Sequence, residues 1–408
     1  MTVTTRAHAG PLPPEPALTP EEIVARAEAI APTLVERQAE TEARTYYAPD
    51  THEAFTKAGF YRLLVPRRYG GYQFGVDTFA RVAMAISRGC PSTGWMYQFG
   101  AVHALAAATL FDERAQAELF TSGEFISPAT VHPSGTARPA GDGGWIIDGT
   151  WGYCSGAPYA THFIGHTLVP AKDGASRPLL FVVPRRDWQL QDDWGGQLGL
   201  KGSGSHSITL DNVHVPGRFA LRGHLSQHDA TGGSPGRDLH GADYGGGPLS
   251  LMLLELGFLA VGMAKGALDA YEELMTSRTT LFPPIVARTH DPDYQFHYGE
   301  ATGMIAAGEA AIMDALRQWR ELCLRAPEAF TRAEELRLAL IGRESVRLAW
   351  RAVERELMPT AGSSAVRDGA RVERVWRDMS TMHSHAGLGV FLNSLANREL
   401  ARARFDVT

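Results

Sequence analysis

The chain has 408 residues, 44% of them hydrophobic and 21% charged, ordinary proportions for a globular protein with a large buried core and two or three domains. A net charge of -6 with Lys and Arg dispersed provides no basic stripe, so nucleic acid is not an expected partner. Cys90, Cys154 and Cys323 are odd in number and far apart, which argues against a disulfide framework and a Cys-x-x-Cys metal site and points to a reducing cytoplasm.

Residues 1–18, rich in Pro, Ala and Thr without a long apolar run, do not make a signal peptide and are expected to be a flexible tail. Thr19-Pro20-Glu21-Glu22 is a capping box with proline at the first helical position, and Ile23, Ala27, Ile30 and Leu34 follow at helical spacing, with a kink expected at Pro32. After a second short helical segment, Leu64 to Tyr72 breaks the pattern with proline and paired glycine and reads as a loop. Val76–Arg88 and Thr93–Thr109 are two more helices, making 19–125 a helical domain.

From Ile126 the period changes. Strands are expected at Trp145–Asp148, Thr150–Ser155, His162–Val169, Leu179–Val183 and Ser207–Val215, with a turn at Asp142-Gly143-Gly144, giving a β-domain over 126–222. Residues 223–248 are Gly-, His- and Asp-rich without periodicity and read as a linker or mobile loop. Four helices are expected from Leu249 on: Leu249–Arg278, Tyr298–Arg325, Pro327–Met358, and Val372–Arg404 in one or two pieces. They would form an antiparallel bundle over 249–408, with Phe282 to Phe296 as an irregular excursion. The apolar run Leu249–Ala264 is interrupted by Ser250, Glu255 and glycines and is short for a bilayer, so no membrane span is expected.

Trp151-Gly152-Tyr153-Cys154-Ser155-Gly156 looks most like a site. Aromatics alternating with small hydroxyl or thiol residues suit a strand that offers a flat face and a hydrogen-bonding group to a planar ligand; a half-buried hairpin with a satisfied serine fits the same six residues. Downstream, the Gly-Ser-Gly-Ser run 202–205 can cradle a phosphate or simply turn. The histidines are scattered, and His383-Ser384-His385 has the wrong spacing for two ligands on one helix face, so no metal is expected.

The order helical region, small β-barrel, four-helix bundle resembles the acyl-CoA dehydrogenase fold, mainly α with a central β-domain. Pro66-Arg67-Arg68-Tyr69-Gly70-Gly71, Leu198-Gly199-Leu200-Lys201-Gly202-Ser203 with Asp211 to Pro216, and Trp376-Arg377-Asp378 resemble that family's P-x-x-x-G-G, G-x-R-G-S with D-V-x-V-P, and Y-R-D segments. In the dehydrogenases a W-I-T segment meets the flavin, and by resemblance Tyr153 takes the Trp place and Ser155 the Thr place. The dehydrogenase base, the Glu of E-G-T, is missing: that spot reads Ala386-Gly387-Leu388, and alanine cannot take a proton. Just before it stands Met382-His383-Ser384-His385. An R-D followed by His at this distance resembles the two-component flavin monooxygenases of the same fold, as do the W-x-F-x-S-G match at Trp151–Gly156 and the C-P-x-x-x-W match at Cys90–Trp95.

That resemblance implies an oxygenase that receives reduced FMN or FAD from a separate NAD(P)H-dependent flavin reductase, binds O2, and oxygenates a small aromatic or heteroatom-containing substrate through a flavin C4a-hydroperoxide, as a homotetramer. It makes His385 the acid/base, Ser155 the hydroxyl at flavin N5, and His103 a polar pocket group. Tyr153, Ser155, Trp151, Ser127, Lys201, Ser203, Arg278 and Gly362 would bind cofactor, and Trp95, Phe99, His103 and His385 would line the substrate pocket. Two other readings stand beside it: a dehydrogenase or oxidase with its base moved to Glu255, and a scaffold without catalysis.

Overall fold

The computed structural model describes residues 11–407 other than 172, 229, 230 and 406. The chain opens with α1 (Pro20–Glu36), where Thr19 Oγ1 accepts from Glu22 N at 3.2 Å and Glu22 Oε2 from Thr19 N at 2.8 Å, closing the capping box. Pro32 lies inside this unbroken helix. Of the expected tail, 11–18 is packed instead, because Pro13 and Leu18 are buried and Glu15 pairs with Arg26 at 2.7 Å. Residues 1–10 lie outside the described residues.

Next come α2 (Gln38–Arg44), α3 (Pro49–Ala58), α4 (Val76–Gly89), α5 (Pro91–Ala101), α6 (His103–Leu110) and α7 (Glu113–Leu119). Two facing antiparallel sheets follow, built from β1 (Thr136–Pro139), β2 (Trp145–Trp151), β3 (His162–Pro170), β4 (Ser176–Pro184), β5 (Gln189–Leu190), β6 (Ile208–Val215) and β7 (Ala220–Arg222). Their orders are β1-β2-β6-β5 and β3-β4-β7. Inward residues of both, among them Ile147, Trp151, Phe163, Phe181 and Leu210, form a separate apolar cluster. β1, β5 and β7 are too short to show a period of two, which hid them in the sequence.

Residues 223–248 are not a free linker. Those described carry α8 (Pro235–His240) and are strapped down at several points: the buried Tyr244 hydroxyl donates to Leu64 O at 3.0 Å, His240 Nε2 meets Gln116 Oε1 at 2.6 Å while its carbonyl accepts from Gln73 Nε2 at 3.0 Å, and Arg237 donates to Cys323 O at 2.6 Å and Arg325 O at 2.7 Å.

The closing helices are α9 (Pro248–Ser277), α10 (Pro292–Leu324), α11 (Arg332–Arg351), α12 (Met358–Ala361), α13 (Arg371–Met382) and α14 (Ala396–Phe405), with π-helical turns at Ala352–Leu357 and Gly387–Leu395. The long apolar stretch of α9 is 83% buried within the protein, as a core helix should be. One face meets α4, where Phe258 sits edge-on to Phe79, and another meets α10 and α11 through Ile312 and Gly342. At the meeting of α4, α5 and α9 a Cβ on Gly94 would stand 2.2 Å from Ser87 Oγ, and one on Gly262 2.6 Å from Met84 O. Only glycine allows these helices to close so tightly, and the closure fixes where α5 points its aromatic side chains.

Candidate active site

Four segments converge beside α5: the turn 151–156, the turn 198–205, the first turns of α5, and the break after α13. The expected strand through Ser155 stops at Trp151. Beyond it Tyr153 adopts a left-handed φ of 60° and Gly156 one of 89°, while Cys154 is buried, its Sγ 3.1 Å from Trp151 O. Residues 151–156 therefore run as a tight turn bonded to the next loop, with Cys154 N donating to His206 O and Gly156 N to Ser203 O. The buried thiol pulls the backbone round, which strand alternation does not anticipate.

This turn separates its two aromatics. Trp151 is 1% exposed and packs between the sheets against Phe163 and Phe181, with Nε1 donating to His166 O at 2.8 Å. It belongs to the barrel core and is not available to a cofactor. Tyr153 is 74% exposed and meets Trp194 edge to face.

The Ser155 hydroxyl holds the centre. Trp95 Nε1 donates to its Oγ at 3.0 Å, Ser205 Oγ lies 2.8 Å away, and Ser203 Oγ lies 2.7 Å beyond Ser205. A hydroxyl has one proton and two lone pairs, so these two bonds leave one valence open on Ser155, which is only partly buried. An exposed aromatic beside a half-satisfied hydroxyl fits the flat, hydrogen-bonding ring of a flavin.

The same tryptophan touches the other side of the site. The Trp95 and His385 rings are 5.4 Å apart and edge to face, Phe99 is 4.6 Å from Trp95 and 5.8 Å from His385, and His103 is 6.4 Å from Phe99. His385 is not within a helix as expected. α13 ends at Met382, and His383 to His385 form the break before the π-helical stretch. His383 turns the other way, against Trp350 at 4.9 Å.

The two site imidazoles have opposite polarity. Gly387 N donates to His385 Nδ1 at 3.3 Å, so the neutral ring carries its proton on Nε2. His103 Nδ1 lies 2.8 Å from both Phe99 O and Ser127 O, two acceptors, so its proton is on Nδ1 and Nε2 has the lone pair. His103 is buried, and desolvation holds it below the usual imidazole range. His385 keeps partial exposure, but surrounding protein pushes it down to about 4. Both rings are neutral at neutral pH.

The remaining expected residues divide by position. Ser203 is inside the hydroxyl chain, and Lys201 is on the same turn, partly exposed. Ser127 is fully buried and donates its hydroxyl to Pro128 O at 3.0 Å, so it reaches the site only through the carbonyl that orients His103. Arg278 and Gly362 do not join within this chain. Arg278 follows α9 and bonds Ser364 at 2.8 Å, and Gly362, at φ 89°, sits by Arg288. Leu256, on the same helix, stands beside Gly387, so about 30 Å of helix at about 1.5 Å per residue separates Arg278 from the His385 corner. Glu255 is 1% exposed with Oε2 unpartnered, and burial raises its carboxyl well above the usual range. Burial thus favours its protonated form and makes it a poor candidate for a base.

Sequence reasoning missed Ser205 as the hydroxyl partner of Ser155: it lay in the run 202–205 that resembled a phosphate cradle, a signal that did not name the contact. It also missed Ser92, in the C-P-x-x-x-W segment, whose Oγ donates to Asp378 Oδ2 at 3.0 Å and accepts from Gly202 N at 3.3 Å. No group of three or more His, Cys, Asp or Glu able to hold a metal occurs among the described residues.

Comparison with known proteins places the whole chain in a family. The acyl-CoA dehydrogenase N-terminal domain family matches residues 19–118 and the C-terminal domain family residues 254–389. The chain is similar to the pigment production hydroxylase of Rhodococcus sp. (strain ATCC 21145), at 30% identity over 96% of this chain and 98% of that protein. It is equally similar to the flavin-dependent monooxygenase oxygenase subunit HsaA of Rhodococcus jostii (strain RHA1), at 30% identity over 88% of this chain and 93% of that one. In structure it resembles the 3-HSA hydroxylase of Rhodococcus sp. RHA1, with a TM-score of 0.85 and 26% identity over 95% and 97% of the two chains.

Proposed function

Because the chain belongs to the acyl-CoA dehydrogenase family, among its flavin-dependent monooxygenases, we propose roles for individual residues in oxygenating a small aromatic substrate that bears an O–H or N–H group. The protein is the oxygenase component of a two-component system and uses reduced flavin. When bound, that flavin supplies the electrons that activate O2; the protein supplies the place and the protons.

The carrying observation is that one residue, Trp95, touches both halves of the site: its indole N–H fixes Ser155 and its ring edge meets His385. Ser155 would use its open valence on the flavin N5, and Tyr153 would cover the ring system beside it. The substrate would lie against Trp95 and Phe99, on the side of His385. There His103 Nε2 can accept a proton from a substrate O–H or N–H, while His385 Nε2–H can donate a hydrogen bond to the reacting group. A flat substrate between two aromatic faces with a donor and an acceptor at its edges is the ligand this arrangement suits.

The reductant would come from a separate NAD(P)H-dependent flavin reductase, since no nucleotide-binding glycine fingerprint follows a strand. The three free, buried thiols suit the cytoplasm. Purified protein mixed with NADH, FMN or FAD and phenols or indoles should turn over only when a flavin reductase is added. Robust NADH oxidation by this chain alone would contradict the reading.

A further inference from the structure

The Arg377-Asp378 pair, so far only a mark of kinship, has a physical task. Asp378 is 2% exposed on α13, its Oδ1 accepting from Leu200 N at 2.5 Å and its Oδ2 from Ser92 Oγ at 3.0 Å. Gly202 N donates to the same Ser92 Oγ at 3.3 Å. Arg377 Nη1 donates to Leu198 O at 3.0 Å, and its guanidinium is held by Glu42 and Glu373. A Cβ at Gly199 would stand 2.2 Å from Arg377 O, so the turn lies directly on the helix backbone. Leu200 itself sits at φ 54°, a left-handed conformation that costs a leucine energy and persists only when its surroundings impose it.

The gripped turn continues into Ser203 and Ser205, whose hydroxyls lead to Ser155. The same α13 ends at the break that carries His385. Ser92, on the first turn of α5, ties the clamp to the helix that bears Trp95.

We propose that Asp378, with Ser92, is a positioning residue for oxygenation: it holds the 198–205 turn in its strained shape and thereby sets the Ser155 hydroxyl against the flavin. This rests on the placement of Ser155 proposed above. The Asp378 carboxylate bonds the 198–205 turn and Ser92, so on this proposal its effect runs through Ser155, and a double-mutant cycle separates that route from one through Lys201 or Ser203 on the same turn.

The experiment compares the whole protein with Asp378→Asn, Ser92→Ala and Ser155→Ala and with each of the first two combined with the third. Two quantities are measured: anaerobic affinity for photoreduced FMN and FAD by titration, and H2O2 released per reduced flavin oxidised by air. Asp378→Asn and Ser92→Ala should each weaken reduced-flavin affinity and raise H2O2 release about 5-fold, the scale of one hydrogen bond of about 1 kcal/mol. In the Ser155→Ala background neither should add a further change. Fully additive effects, or a lowered melting temperature with both quantities unchanged, would overturn the clamp. A silent Ser155→Ala would sink the Ser155 placement and the clamp with it, whereas an effective Ser155→Ala with additive doubles would sink the clamp alone. If Asp378→Asn fails to fold, Ser92→Ala carries the same comparison, since it removes one hydroxyl and leaves the carboxylate on Leu200.

Discussion

Trp95 forces a division of labour among single residues. Its N–H takes one lone pair of Ser155 and its ring edge borders His385, so the two can be removed separately. His385→Ala should leave reduced-flavin affinity within about 2-fold while product formation falls about 10²-fold or more, the scale of a lost general acid or base; single-turnover product yield beside a flavin titration checks both. Glu255 allows a sharper exclusion. Burial favours its neutral carboxyl, so Glu255→Gln substitutes a neutral hydrogen-bonding group of the same shape for the favoured form, and turnover should stay within about 3-fold. A loss of 10²-fold in steady-state rate would restore a base at that position. Much of this site was legible in the sequence, because Ser155, Trp95 and His385 stand in segments that match family motifs. Trp151 was not, since a motif gives the residue type but not which way a turn sends it. The hydroxyl partner of Ser155, Ser205, was also hidden, because the turns 151–156 and 198–205 meet only once the chain has folded.

Elements with strong local signals fold as the sequence predicts, and those held by isolated long-range anchors do not announce themselves. The capping box of α1 and the apolar length of α9 are examples of the first kind. The strap within 223–248 is the second kind: Tyr244, His240 and Arg237 hold it by a few hydrogen bonds to distant parts of the chain, and none produces a period. Tyr244→Phe should therefore cost about 1–2 kcal/mol, because Leu64 O loses its buried donor, and the thermal midpoint should fall by a few degrees without change in flavin affinity. Calorimetry beside a flavin titration decides; an unchanged midpoint would mean that the anchor holds nothing.

For the whole molecule, buried histidines dominate the response to acid. His162, His240 and His385 are pushed down to about 4 and His166 to about 3, all chiefly by desolvation, against an unfolded value near 6.5. Each depressed imidazole stabilises the fold above its unfolded pKa and loses that contribution as pH falls towards the folded one. Asp378, pushed up to about 6 by burial, and Glu255, raised the same way, act in the opposite sense, since the folded state holds their protons first. His52, His103, His206, His228 and His383 are lowered by burial as well and Glu124 is raised, so depressed imidazoles outnumber raised carboxyls. The unfolded state then binds more protons, and stability should fall as pH drops from about 6.5 towards 4, by about 1.4 kcal/mol per pH unit for each extra proton. Urea unfolding over that range measures the slope, and a flat profile would contradict the burial of these rings. Assembly is also a whole-molecule property. The apolar surface of α9 is absorbed within this chain and gives no reason for subunit pairing, but Val390, Leu395 and Phe405 stand exposed on the C-terminal segment. They do not define an interface, so the expected homotetramer is left to light scattering at micromolar concentration, which should find it; a monomer would refute it.

The central claim is that this chain spends reduced flavin on putting an atom of O2 into an aromatic substrate. Photoreduced flavin bound to the purified protein, with no reductase present, should be mixed with phenols or indoles and isotopically labelled O2, and the product weighed after one turnover. The account predicts one labelled oxygen in the product and no oxidation of substrate by oxidised flavin when O2 is absent. Reduction of bound oxidised flavin by substrate under anaerobic conditions, with no label in any product, would contradict it.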